Sequence, residues 1–195
     1  MTLLDLSAVT LLLSNLLVIV LAISQNWDIS TILWVYWVQS IIIGLFQFLR
    51  ILSLKNFSTE NLTINNVPAS PTIQTKFFTA FFFAFHYGFF HFIYAIFLAS
   101  VVAKTPENFL SFLIGSSVFF LNHLYSFIHN RITDEKLKPN IGTLMFAPYI
   151  RIVPMHLVII IGALLGNQAK LIFFLLLKTL ADLTTHIIKH KIGRF

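Results

Sequence analysis

The 195-residue sequence contains no cysteine, and only 10% of its residues are charged. The lack of cysteine excludes disulfides, thiolate metal sites and cysteine nucleophiles. Ordinary soluble domains carry about 25% charged residues. Here hydrophobic residues make up 57% of the chain, and the mean hydropathy is +0.86. A water-soluble core cannot absorb this much Leu, Ile and Phe, so the composition predicts a protein embedded in a lipid bilayer.

Six apolar runs are long enough to cross a bilayer, which takes about 20 helical residues. They cover residues 3–25, 29–52, 77–102, 109–130, 147–165 and 168–189. These runs are apolar on every side, whereas the strands of a transmembrane barrel alternate between apolar and polar residues. We therefore predict an all-α fold, a polytopic bundle of about six helices. The bundle is predicted to form a single transmembrane domain over residues 1–195.

The net charge of +6 comes from 13 Lys and Arg against seven Asp and Glu. The basic residues lie in loops beside the apolar runs, and no basic stripe with interleaved aromatic residues occurs, so nucleic-acid binding is excluded. With the N-terminus in the cytoplasm, nine of the 13 basic residues fall on the cytoplasmic side and only Lys104 and Lys170 outside. The positive-inside rule then predicts a multi-pass protein of the cell (inner or plasma) membrane with both termini cytoplasmic.

Two of the connections between the runs are long, and both are predicted to lie on the cytoplasmic side. The longer one, 53–75, contains Pro68 and Pro71 and is predicted to be an irregular surface loop. The other, 131–146, mixes acidic and basic residues and is predicted to be a solvated link. The only partner that the sequence implies is the lipid bilayer; a homo-oligomer stays open.

Polar side chains inside the apolar runs are costly unless they find partners, so they mark candidate functional sites. At about 1.5 Å per residue from the cytoplasmic ends, His86, His123, His156 and Asp182 fall about 10–15 Å deep. Gln39, His91 and Lys178 form a second layer at about 18–22 Å, and Arg151 and His186 lie about 6 Å deep. Depth therefore predicts that two polar layers exist within the bundle.

Helical geometry separates the two histidines of the stretch Phe85-His86-Tyr87-Gly88-Phe89-Phe90-His91. Five residues correspond to about 140° around a helix, at about 100° per residue. His86 is therefore expected in the deep cluster and His91 on the face of Tyr87 and Tyr94. Gly88 is expected to allow close approach of a neighbouring helix.

A metal site is the leading functional hypothesis. Lys178, Asp182 and His186 recur at four-residue intervals on one helical face; Asp182 and His186 can ligate one metal, and a Lys178–Asp182 ion pair is an equal alternative. Imidazoles and a carboxylate suit zinc, and a water in an open position would permit hydrolysis. The predicted ligands are His86, His156, Asp182 and His186. The secondary polar candidates are Gln39, His91, His123, Arg151 and Lys178.

Several short motifs resemble a family of small, uncharacterised prokaryotic membrane proteins with six spans. They are Trp37-Val38-Gln39-Ser40 with Gly44-Leu45-Phe46, His86-Tyr87-Gly88-Phe89-Phe90-His91, Pro148-Tyr149-Ile150-Arg151-Ile152 leading to His156, and Lys178 with Asp182 and His186. The family commonly has Glu where this chain has Gln39, so the resemblance implies no role that needs a carboxylate on the second helix. It implies an architecture and a site location, and no activity.

Two other functions stay open beside the metal site, and whether the protein is an enzyme is not decided. A proton-linked transporter or channel would use Lys178, Asp182 and the histidines as a relay. A non-catalytic membrane scaffold subunit would use the polar residues only to hold the helices together. Ser40 and Thr179 offer hydroxyls, but the sequence shows no glycine elbow or acid–base arrangement beside either residue.

Overall fold

A computed structural model describes residues 6–102, 109–150 and 179. Its elements are, in order, α1 (Leu6–Ser24), α2 (Ile29–Ser53), β1 (Thr63–Ile64), β2 (Val67–Pro68), α3 (Ile73–Phe97) with a π-helical turn (Leu98–Val102), α4 (Phe109–Lys136) and α5 (Ile141–Phe146). Helices dominate this part of the chain, which confirms the all-α fold apart from one very short hairpin. Three helical segments are long and apolar enough to cross a membrane: Ser30–Ser53, Ile73–Ser100 and Phe109–Lys136. The predicted spans 147–165 and 168–189 lie outside the described residues, except for 147–150 and 179.

The starts of α2 and α3 are set by side chains that cap free amide groups. Asp28 accepts hydrogen bonds from the Thr31 amide at 2.8 Å and from the Thr31 hydroxyl at 2.6 Å. At the start of α3, the Thr72 hydroxyl accepts the Thr75 amide at 3.2 Å. Such caps satisfy amide groups that a helix leaves unpaired at its first turn. They fix where both long helices begin.

Helix α2 lies at the centre, with α3 and α4 packed against it. Along the α2–α4 interface the paired residues are Tyr36 with Phe119, Phe46 with Phe127, and Arg50 with Asp134. Residue numbers rise together on the two helices, which are therefore parallel. Along the α2–α3 interface the pairs are Trp37 with His91, Gly44 with Tyr87, and Phe48 with Phe81. There the numbers run in opposite directions, and the helices are antiparallel.

The outer face of α3 is covered with exposed phenylalanines. Phe85 is 79% exposed and Phe92 64% exposed, while Phe83 on the inner face is 1% exposed. The most apolar side chains of this helix therefore point outward as well as inward. A contiguous exposed apolar face of this kind is typical of a surface that meets lipid or another apolar partner.

Both predicted loops are more ordered than expected. In the α2–α3 connection, β1 pairs with β2 through a turn at Asn65 and Asn66, whose φ angles are 51° and 64°, as a type I′ turn requires. In the connection predicted as a solvated link, α4 continues to Lys136 and α5 follows after four residues. The two connections contact each other: the Ser58 amide donates to the Pro139 carbonyl, and the Ile141 amide donates to the Ser58 carbonyl, both at 2.9 Å.

Candidate functional site

A buried hydrogen-bonded cluster joins α2 to α3 midway along both helices. The Ser40 Oγ lies 2.6 Å from His91 Nε2 and 3.1 Å from the Tyr87 Oη. Tyr87 Oη donates to the Ser40 carbonyl at 2.8 Å, and His91 Nδ1 lies 2.8 Å from the Tyr87 carbonyl. Ser40 is 2% exposed and His91 1% exposed. Three polar side chains thus form one network in the core.

The partners of His91 define its tautomer. The Tyr87 carbonyl can only accept, so His91 Nδ1 carries a hydrogen and donates it. In the neutral ring, Nε2 is then an acceptor, and the Ser40 hydroxyl donates to it. A hydroxyl held on an imidazole that a third group orients is the arrangement that activates a hydroxyl for proton transfer. The sequence shows no acid–base arrangement beside Ser40, because the partner, His91, comes from the neighbouring helix.

Two further contacts hold this cluster in place. The Trp37 indole donates to the His91 carbonyl at 3.0 Å, and the Tyr87 and His91 rings stack with centroids 4.2 Å apart. The absence of a side chain at Gly44 leaves space for the Tyr87 ring, because a Cβ at this position would overlap it. At Gly88, by contrast, no atom in the described part of the chain lies within 4 Å of an added Cβ. The expected close approach therefore occurs at Gly44 and was misassigned to Gly88.

The side of α2 that meets α4 carries a second polar group. Gln39 is 1% exposed, Asn122 7% and His123 8%. Gln39 lies between Tyr36 and Phe46 in α2, whose partners in α4 are Phe119 and Phe127. Asn122 and His123 lie between these two partners in α4. The three polar residues therefore lie at one level. The prediction that His123 is shallower than Gln39 is wrong, because α4 extends to Lys136 and its end lies further from His123 than expected.

Because Gln39 and Ser40 are adjacent, the two groups meet across α2 at the same level. We call their six residues the polar layer: Gln39, Ser40, Tyr87, His91, Asn122 and His123. The layer is buried, whereas the ends of the same helices carry the charged residues. Polar side chains at this level of an apolar bundle are expected to serve a function.

His86 lies apart from the polar layer. It is exposed, its Nδ1 lies 2.8 Å from the Tyr149 Oη, and its ring stacks on Phe82. His91 is buried on the α3 face that also contains Tyr87 and Tyr94. This confirms the prediction that the two histidines occupy different faces.

The other predicted metal ligands, His156, Asp182 and His186, lie outside the described residues, as do Arg151 and Lys178. Within the described ranges, no group of three or more His, Asp or Glu side chains could hold a metal ion. Zinc at the site predicted from the sequence stays a prediction.

A buried ion pair links the far ends of α2 and α4. Arg50 Nε lies 2.6 Å from Asp134 Oδ2, and Arg50 Nη2 lies 2.7 Å from Asp134 Oδ1. The next residue, Glu135, pairs with Lys55 at 2.8 Å on the exposed side. Sequence reasoning missed the Arg50–Asp134 pair, because both residues resemble the charged ends that flank apolar runs.

Comparison with known proteins gives one match. The sequence profile of a family described as "Family of unknown function (DUF6498)" matches residues 2–194. No curated protein and no solved structure matches the sequence significantly. The match covers nearly the whole chain and assigns no activity to it.

Proposed function

Because the chain belongs to the family of unknown function DUF6498, we propose its role from its own residues: it is a proton-linked transporter or channel. In this proposal the six apolar runs form one bundle in the cell membrane, with both termini cytoplasmic. The three apolar helices and the exposed phenylalanines of α3 support the membrane location. The polar layer then lies within the bilayer, where polar residues characteristically mark solute and proton pathways.

The hydrogen bond between Ser40 and His91 is the observation that carries this proposal. Ser40 Oγ lies between the other two groups, 3.1 Å from Tyr87 Oη and 2.6 Å from His91 Nε2. When the Tyr87 hydroxyl turns its hydrogen from the Ser40 carbonyl to Ser40 Oγ, Ser40 can pass its own proton to Nε2 while it receives the one from Tyr87. This leaves an imidazolium and a tyrosinate; an incoming proton restores the Tyr87 hydroxyl, and the imidazolium releases a proton to return to the neutral ring. Interhelical hydrogen bonds in membranes stabilise by only about 0.6 kcal/mol on average. Helix packing alone is therefore a weak reason for burying three such groups.

We expect Ser40→Ala and His91→Leu each to lower proton flux at least about tenfold, equivalent to about 1.4 kcal/mol in the barrier. Either substitution removes one link between the Tyr87 hydroxyl and the imidazole. Flux is measured with a pH-sensitive dye in proteoliposomes under a pH gradient. Ser53→Ala is the matched control, since within the described ranges the Ser53 hydroxyl donates to the Arg50 carbonyl of its own helix and to no other helix. Wild-type vesicles no leakier than empty ones would contradict the proposal and favour a scaffold role.

Metal binding at His86 is the second candidate function. Nδ1 of His86 is held by the Tyr149 Oη, which leaves Nε2 to face a ligand. Metal-bound histidines usually have their other nitrogen fixed by such a partner. His86 would act with the predicted ligands His156, Asp182 and His186, and the bound zinc would supply a Lewis acid for hydrolysis.

Protein purified without chelator is expected to contain about one zinc per chain by elemental analysis, and His86→Ala to lose it. Tyr149→Phe is expected to weaken metal affinity about 10–100-fold, because the ring of His86 loses its partner. His129→Ala serves as the control, because His129 is exposed and its ring stacks on Tyr125. Metal-free wild-type protein after zinc loading and washing would exclude this function.

A further inference from the structure

Asn122 contains a buried acceptor that receives no hydrogen bond from the part of the chain that the structure describes. The residue is 7% exposed, and its Oδ1 has no hydrogen-bond partner among the described residues. A buried polar atom left unpaired costs about 1–3 kcal/mol. Because folded proteins satisfy nearly all such atoms, an exception calls for a specific explanation, such as a bound water or ligand.

The orientation of Asn122 follows from the buried face of α4. Gly115, Phe119 and Asn122 recur every three or four residues on this face. Gly115 lies against Val35, and Phe119 packs on Tyr36. Asn122 therefore faces α2, level with Gln39 and next to His123, inside the polar layer.

The charges nearby restrict what could occupy such a position. In α1 to α4, the acidic residues are Asp134 and Glu135, both in the last turn of α4. A cation beside Asn122 would be buried without a carboxylate of these helices, which is strongly unfavourable. An anion would face the negative end of the Oδ1 dipole. A neutral species with an N–H or O–H group fits best.

We propose that Asn122 Oδ1 accepts a hydrogen bond from a small neutral solute that enters the polar layer between α2 and α4. Water is the simplest such species, and urea and glycerol share its donor chemistry. The inference rests on the proposed function, since it assumes that the polar layer is a pathway. It adds a solute position on the α4 side of α2, separate from the proton-transfer groups on the α3 side.

Stopped-flow light scattering of proteoliposomes tests this position with three probes, water, urea and glycerol. We expect wild-type protein to accelerate at least one probe over empty vesicles and Asn122→Leu to lower that rate at least about tenfold. The same variant is expected to keep or raise the melting temperature, because leucine has a similar volume and brings no buried acceptor that needs a partner. Asn122→Ser, which keeps a shorter hydroxyl acceptor, is expected to retain part of the rate. Asn130→Leu, on the same helix nearer its end, is the control.

Acceleration of water alone would identify the bound species as water, and acceleration of urea or glycerol would identify a larger solute. The inference is overturned if no probe is accelerated, or if Asn122→Leu leaves every rate unchanged. A melting temperature lowered by Asn122→Leu, with no loss in rate relative to its folded fraction, would also overturn it. Proton flux that depends on Ser40 would survive these failures, so they are distinguishable from failure of the proposed function.

Discussion

Asp134→Ala is expected to lower the free energy of unfolding by about 3–5 kcal/mol, the usual cost of leaving a buried charge unpaired. Arg50 and Asp134 are joined by two hydrogen bonds and are 9% and 8% exposed. Without the carboxylate, the guanidinium stays buried at the α2–α4 interface with no compensating charge. The measurement is equilibrium unfolding in detergent micelles titrated with SDS, followed by far-UV circular dichroism.

Glu135→Ala is the matched control, one residue away on the exposed side. Its partner Lys55 remains in solvent when the carboxylate is removed, so the stability is expected to change little. The double substitution Arg50→Met with Asp134→Leu is expected to recover most of the loss, because neither side chain then buries a charge. Equal losses in Asp134→Ala and Glu135→Ala would show that the buried pair has no special weight.

Gly44→Ala is expected to destabilise the protein by about 1–3 kcal/mol, as overpacking of a well-filled core does. The new Cβ would overlap Tyr87 Cε1 and lie 2.8 Å from Cδ1. The ring has little freedom to yield, since its hydroxyl is bonded to the Ser40 carbonyl and its face stacks on His91. Displacing Tyr87 also breaks the proton-transfer chain, so proton flux is expected to fall with stability.

Gly88→Ala separates this effect from the general effect of adding a methyl group to a helix. The added Cβ at Gly88 meets no described atom within 4 Å, and alanine favours the helix over glycine by up to about 1 kcal/mol. We therefore expect equal or higher stability and unchanged flux for Gly88→Ala, measured in the same two assays. A Gly44→Ala protein as stable and active as Gly88→Ala would refute the contact between α2 and α3 described above.

Local pattern was sufficient to predict the helices and the division of the two histidines in α3. Helical periodicity places His91 with Tyr87 and Tyr94 and turns His86 away, and both results depend only on residues of one helix. The partner of His91 could not be predicted in the same way. Ser40 belongs to another helix, and the pattern within a run does not say which helices are neighbours or at what register.

The ends of the elements were harder to predict because tertiary contacts extend them. Charged residues from Arg131 to Lys136 resemble a solvated link, yet α4 continues through them and buries Asp134 against Arg50. Measured from that later end, His123 lies about as far along α4 as Gln39 lies from the end of α2. The close approach was predicted at Gly88 and occurs at Gly44 for a related reason, since either glycine permits it and only the packing of α3 on α2 decides between them.

The hydrogen bonds from Ser58 to Pro139 and Ile141 restrict how the chain can cross a membrane. They tie the connection after α2 to the connection after α4, so both connections must lie on one membrane face, whichever face that is. If the chain crosses a membrane, α3 then leaves that face and α4 returns to it. Inversion of one of them alone would break this backbone link, so the sidedness of the two connections changes together or not at all.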